Sequence, residues 1–360
     1  MLKRGDKKLY RSWAFYDWAN SVYSLVISSA VFPIYYESLT ATETTDQVYF
    51  LGTSFNNTTL YTYALSVSFL IVAFLSPVLS GIADYTGRKK TFMQFFCYLG
   101  SLSTMGLFFF TGIENLGIGI LFSILASIGF WGSLVFYNAY LPEVAFPEQQ
   151  DKVSALGFTY GYIGSVLLLV FNLMMINNPE WFGITDPTLP ARISFATVGL
   201  WWMGFAQFTF ARLPNNVFHK KPEKDFITKG YKELQNVWHQ LKTLSTLKTY
   251  LIAFFMYSIG VQTIVLMAGI FGSKELGLAT PKLIMTILLV QLVGIVGAIL
   301  FSNISKWFGN IRALQITIFI WMLVTFAAFL LQKDDPNVDI KFYALGGLIG
   351  MVMGAIQSLS

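Results

Sequence analysis

Of 360 residues, 55% are hydrophobic and 12% charged, against about 25% charged in an ordinary soluble domain, which excludes a conventional water-soluble fold. The formal net charge of +5 does not point to nucleic acid, because Lys and Arg fall in short segments between apolar blocks, the distribution that orients a membrane protein. The one cysteine, Cys97, lies inside an apolar block, so no intrachain disulfide can form.

In chain order, Lys3, Arg4, Lys7, Lys8 and Arg11 precede an apolar run that contains Asp17. That run is too long for a signal-peptide core and offers no small-residue cleavage site, so it is expected to remain as the first helix. The apolar stretches fall at 13–36, 60–82, 91–111, 116–141, 153–176 and 193–210, then at 250–271, 283–301, 314–331 and 342–360. Blocks of about 18–26 residues cross about 30 Å of hydrocarbon as helices. A lipid-exposed strand would leave its amides unpaired. The expected fold class is therefore all-α, a polytopic membrane protein with ten spans.

Of the 24 Lys and Arg, all but Arg192, Lys274, Lys282, Lys333 and Lys341 fall in loops on the side of the N-terminus. Cytoplasmic loops carry such an excess, so the N-terminus is expected in the cytoplasm. The connection at 40–59 has neither Lys nor Arg and reads as external. Asn56 and Asn57 each open an N-x-Thr triplet there, by chance or as glycan acceptors. Trp13, Trp181 and Trp307 lie near span ends, where tryptophan anchors at the interface.

The longest polar stretch, 213–249, separates a six-helix half at 1–212 from four spans at 250–360. Within it Ile227, Tyr231, Leu234, Trp238 and Leu241 recur at helical spacing, which fits an amphipathic helix on the membrane surface or a packed linker helix. The sequence stops at Ser360 inside an apolar segment. Six spans followed by four suggest a twelve-helix protein of two related halves, of which ten helices are present.

Between the second and third spans, Gly81, Asp84, Gly87, Arg88 and Lys89 follow the pattern G-x-x-x-D-x-x-G-[RK]-[RK]. Gly81 lets helices approach, Gly87 turns the chain, and Asp84 can pair with Arg88 as a latch that gates one conformation. A solvated turn is the plainer reading. This motif resembles that of the major facilitator superfamily. After the eighth span Asn303, Lys306 and Gly309 replace Gly81, Asp84 and Gly87, a weakened copy. In the fifth span Gly157, Gly161 and Gly164 permit close helix packing. They partly resemble the glycine motif of superfamily antiporters, but Tyr162 stands where that motif has proline.

Two segments narrow the resemblance: S-W-A-F-Y-D-W-A-N-S at 12–21 and Y-N-A-Y-L-P-E at 137–143. Together with 346–360 they are similar to the vacuole effluxer-like branch, which includes fungal vacuolar amino-acid exporters and many bacterial members. The resemblance runs over essentially the whole chain. It implies a twelve-helix major facilitator fold and, further, amino-acid efflux, in a bacterial cytoplasmic membrane or a fungal vacuolar one.

Charged side chains inside a bilayer are costly and usually face a cavity. Asp17, Asn20, Ser21, Ser24 and Ser28 share one face of a regular α-helix and form the candidate cavity wall. Asp17 is either a coupling or substrate-amine group or a hydrated helix-start carboxylate favoured by the dipole. Glu143 can pair with a basic loop residue as a second gate. Asn138, Asn172, Gln262, Gln291 and Gln357 can hydrogen-bond a solute or join helices.

The only histidines, His219 and His239, lie in the polar stretch without metal-ligand spacing, so no catalytic or metal site and no cofactor is expected. No phosphate-binding G-x-x-x-x-G-K-[ST] loop occurs, so energy would come from ion or solute gradients. The expected function is a secondary carrier of small solutes, with a proton or another ion and the lipid bilayer as partners. A receptor or scaffold that binds a solute without moving it is the alternative, since fold does not fix function.

Overall fold

The computed structural model describes residues 3–41, 46–214, 244–278 and 280–359 together with Gln235 and His239. The side chains of Asp84, Tyr85, Leu266, Ile270, Ser273, Lys274, Thr280 and Pro281 are outside that description. The amphipathic helix expected within 213–249 also lies outside the described residues.

Ten long helices appear among the described residues: α1 Lys7–Thr40, α2 Asn57–Thr86, α3 Lys89–Gly106, α4 Leu116–Val144 and α5 Pro147–Asn177. They continue with α6 Leu189–Phe210, α7 Ser245–Ile270, α8 Thr280–Phe308, α9 Asn310–Phe329 and α10 Val338–Leu359. Each coincides with one apolar stretch. Nine of them are long and apolar enough to cross a membrane. The exception, α6, has 22 residues but includes Arg192, Trp201, Trp202 and Gln207, which lower its hydropathy.

The helices outrun the apolar stretches because polar residues cap them. Asp6 accepts the Lys8 N–H and starts α1 at Lys7, and Asn56 accepts the N–H groups of Thr58 and Thr59 at the start of α2. Two features were not expected. The connection between α1 and α2 holds an antiparallel hairpin, β1 Gln47–Phe50 and β2 Thr53–Asn56. Within α1, residues Tyr23–Val31 are π-helical. The wide stretch ends just before Pro33, which donates no N–H and crowds the carbonyl four residues back.

The chain divides into two compact units, one of Met1–Val144 with Gly164–Asn236 and the other of Ala145–Ile163 with Val237–Ser360. This grouping departs from a simple division in chain order at α5, which begins in the second unit and ends in the first. In the first unit α3 and α4 cross at their glycines: a Cβ on Gly129 would land on the Gly100 backbone. Trp13, Tyr16 and Trp202 are fully buried between α1, α4 and α6. In the second unit α8 and α10 meet in the same way, and a Cβ on Gly354 would overlap the Gly294 carbonyl. Without a hydrophobic drive between helices in lipid, such backbone contact supplies the packing.

Candidate functional site

The segments 12–21 and 137–143 interlock in the first unit. Trp13 stacks on Tyr137 with ring centroids 4.3 Å apart and 8° between planes. The Trp13 indole N–H donates to the Tyr137 carbonyl at 2.8 Å, and the Tyr137 hydroxyl donates to Asp17 Oδ2 at 2.8 Å. Tyr16 lies 5.2 Å from the Tyr137 ring, and Trp202 Nε1 reaches its hydroxyl at 3.4 Å.

Asp17 is 4% exposed and is not a helix-start carboxylate. Because α1 begins at Lys7, Asp17 lies about 15 Å along the helix, whereas dipole stabilisation falls off within the first turn. That reading is corrected. No ion pair of Asp17 occurs among the described residues. One turn on, Asn20 is 1% exposed; its Oδ1 accepts from Ser21 at 3.5 Å, and its Nδ2 has no partner among the described residues. An unpaired buried polar group costs about 1–3 kcal/mol, so packing alone does not account for Asn20.

Beyond Asn20 the expected stripe changes phase. It assumed α-helical spacing, but in the π-helical stretch Ser29, five residues on, returns to Ser24 and donates to its carbonyl at 2.9 Å. Ser24 and Ser29 are exposed, while Ser21 and Ser28 are half-buried. On α4, Asn138 is the one exposed residue between Leu121 and Pro142. By contrast α5 exposes Ile163, Leu167, Val170, Phe171 and Met174. Over 163–174 α5 thus turns only hydrocarbon outward, whereas α1 and α4 turn polar groups outward within their spans.

Sequence comparison settles the family. A family model described as vacuole effluxer Atg22 like matches residues 5–360. The chain belongs to that family. It is 32% identical over 362 residues to an uncharacterized MFS-type transporter, YxiO, of Bacillus subtilis (strain 168), covering 100% of this chain and 81% of the relative. It is 24% identical over 399 residues to autophagy-related protein 22-1 of Penicillium rubens, covering 86% of this chain and 65% of that protein. The fold matches a Major Facilitator Superfamily transporter, FucP, in the outward conformation, with a TM-score of 0.64 over 98% of this chain and 87% of that one at 12% identity. This effluxer-like chain is a multi-pass membrane protein of the MFS transporter class.

In the effluxer-like chain the turn after α2 is built as its glycines require. Gly87 closes α2 in the left-handed region at φ 68°, and Gly81 is buried. Arg88 is exposed. The expected Asp84–Arg88 pair lies outside the described side chains. Lys89 bonds Glu143 at 2.8 Å, with the side chains 14% and 21% exposed. Glu143 thus has its basic partner, but both belong to the first unit, so the pair fastens α3 to α4. Glu143 Oε2 is buried and has no partner among the described residues. Beside it Lys90 donates to the Leu213 carbonyl at 3.1 Å and Tyr140 to the Pro214 carbonyl at 2.9 Å.

At the weakened copy of this turn Gly309 again has positive φ, 84°, and Lys306 donates to Asn303 at 3.1 Å. A carboxylate still reaches the turn: Asp151 of α5 accepts from Ser305 and Asn310. Three turns along α5, the Tyr162 hydroxyl donates to Gln357. The residue that breaks the glycine pattern thus carries a specific contact, and Gly164 packs against the Trp18 carbonyl. Gly157 and Gly161 are buried. Asn172 accepts from Thr197 at 3.1 Å. Gln262 is exposed on α7 and Gln291 half-buried on α8, neither with a described hydrogen bond. Tyr137 and Asp151 were not singled out from sequence, and Tyr162 only as a departure from the glycine motif; the signal available for Tyr137 was that it opens a family segment.

Proposed function

We propose that the chain is a secondary-active carrier that moves small solutes, amino acids among them, by alternating access of two related helical halves. The observation that carries the reading is the polar exposure of α1 and α4, where Ser24, Ser29 and Asn138 face outward within spanning helices. Exposed hydroxyls and amides at that depth suit a solute passage, since lipid offers them no partner. Asp17, with no cation beside it among the described residues, suits a proton or a solute ammonium group, and the spare Asn20 amide suits the solute's carboxylate. Family membership supports solute movement, and the excess of Lys and Arg on one side supports a cytoplasmic N-terminus.

The test is counterflow in liposomes. Reconstituted protein should exchange labelled amino acids saturably under an imposed proton gradient. No exchange of any amino acid, peptide or sugar in a broad panel would sink the proposal. Saturable binding without exchange would instead make the chain a receptor.

A further inference from the structure

The connection between α1 and α2 is closed by an unusual turn. Gln47 pairs with Asn56 and Phe50 with Thr53, and the two linking residues, Leu51 and Gly52, have φ of 48° and 83°. Consecutive positive φ values match the twist of a two-residue hairpin, but such a turn favours Asn, Asp or Gly at its first position. A bulky side chain there is strained. Leu51 nevertheless occupies it and is 88% exposed. It neither relieves the turn nor packs on the hairpin, so folding alone does not explain it.

The base of the hairpin is held firmly. Val48 is 1% exposed, the Asn57 N–H donates to the Asp46 carbonyl at 2.8 Å, and the Tyr36 hydroxyl donates to the Asn57 carbonyl at 3.0 Å. The exposed side carries no charge: Tyr49 is 73% exposed beside the neutral Gln47, Ser54 and Asn56, and residues 47–56 contain no Lys, Arg, Asp or Glu. Phe55 meets Tyr63 edge-on with centroids 6.4 Å apart. Tyr63 begins a row of exposed apolar residues on α2, continued by Val67, Leu70 and Phe74 at helical spacing. Phe55 therefore joins the hairpin to the exposed apolar row of a spanning helix.

We propose that the hairpin is an interfacial anchor, with Tyr49 and Leu51 seated at the headgroup–acyl boundary of the bilayer where α1 ends and α2 begins. Leu51 buries its hydrocarbon there, and Tyr49 buries its ring while its hydroxyl stays among the headgroups. A charge-free hairpin enters that layer without desolvating an ion. The burial gained offsets the strain at the turn.

The test places a nitroxide at position 49 or 51. Each Cys variant is made in the full chain with Cys97→Ala and reconstituted in phospholipid vesicles, and its collisions with oxygen and with a water-soluble nickel chelate are compared. A label at the exposed loop residue Asp334 gives the aqueous reference. Oxygen should dominate at 49 and 51, and the nickel chelate at 334. Nickel contact at both hairpin positions equal to that at 334 places the tip in water and overturns the proposal. Labels reached by neither reagent place the tip against protein and overturn it as well. Both hairpin side chains are exposed, so substitution disturbs no packing.

Discussion

Tyr137 holds Asp17 with one hydroxyl, and that bond is the only one described for the carboxylate. Tyr137→Phe keeps the stack on Trp13 but leaves a buried acceptor without its donor. It should cost about 1–3 kcal/mol, read as a lower melting temperature in detergent. Asp17→Asn can still accept from Tyr137, so it should fold normally; if Asp17 binds the coupling proton, the pH dependence of exchange should flatten. An unchanged pH profile would assign Asp17 to structure. The Lys89–Glu143 pair gives a second check. Lys89→Ala strands a largely buried carboxylate and should cost about 2 kcal/mol, between the exposed and fully buried cases. The double variant with Glu143→Ala should be more stable than Lys89→Ala alone, whereas simple additivity would show that the two side chains are not coupled. At the hairpin, Asn57 is 3% exposed and donates to Thr40, so burial excludes it as a glycan acceptor in this structure. Its neighbour Asn56 is exposed.

At the scale of the element, helix contact is set by glycine. Gly129→Val inserts a side chain into the Gly100 backbone, while Gly204→Val on α6 meets nothing within 4 Å. Overpacking of this kind costs about 1–3 kcal/mol or more, so the first variant should melt well below the second. Equal melting temperatures would show that α3 and α4 do not meet at Gly129. On α5, Asp151 and Tyr162 are eleven residues apart, three helical turns, and so share a face. Both bond partners in the second unit. Asp151→Ala with Tyr162→Phe should raise amide exchange at 147–163 more than at 164–177, and uniform exchange would refute the clasp. The sequence revealed α1 as a helix but not its π-helical stretch, because an apolar run suits either form and does not say which carbonyl each amide selects. Pro33 was visible, but a proline in an apolar run does not say how the helix adjusts around it.

For the whole molecule the first matter is which loops share a side. Amine labelling of sealed, oriented vesicles should modify Lys152 and Lys306 from one face and Lys333 and Lys341 from the other. Labelling of Lys152 and Lys333 from the same face would undo the span order. Ten long helices, their order and the separation of basic residues were readable from the pattern of apolar stretches, because about 30 Å of hydrocarbon demands long apolar helices whatever their neighbours. The turn at Gly87 was readable too, since a left-handed residue before a basic pair is a local requirement. Tertiary structure alone decided that Tyr137 reaches Asp17, that Glu143 pairs with Lys89 within one unit, that Tyr162 finds Gln357, and that Leu51 is displayed at a strained tip. The three helix contacts depend on how far one helix is rotated and slid against another, a choice to which hydrophobicity is nearly indifferent, and Leu51 depends on the register of the hairpin. Glycine contacts and single hydrogen bonds make that choice, and they leave no periodic mark in the chain.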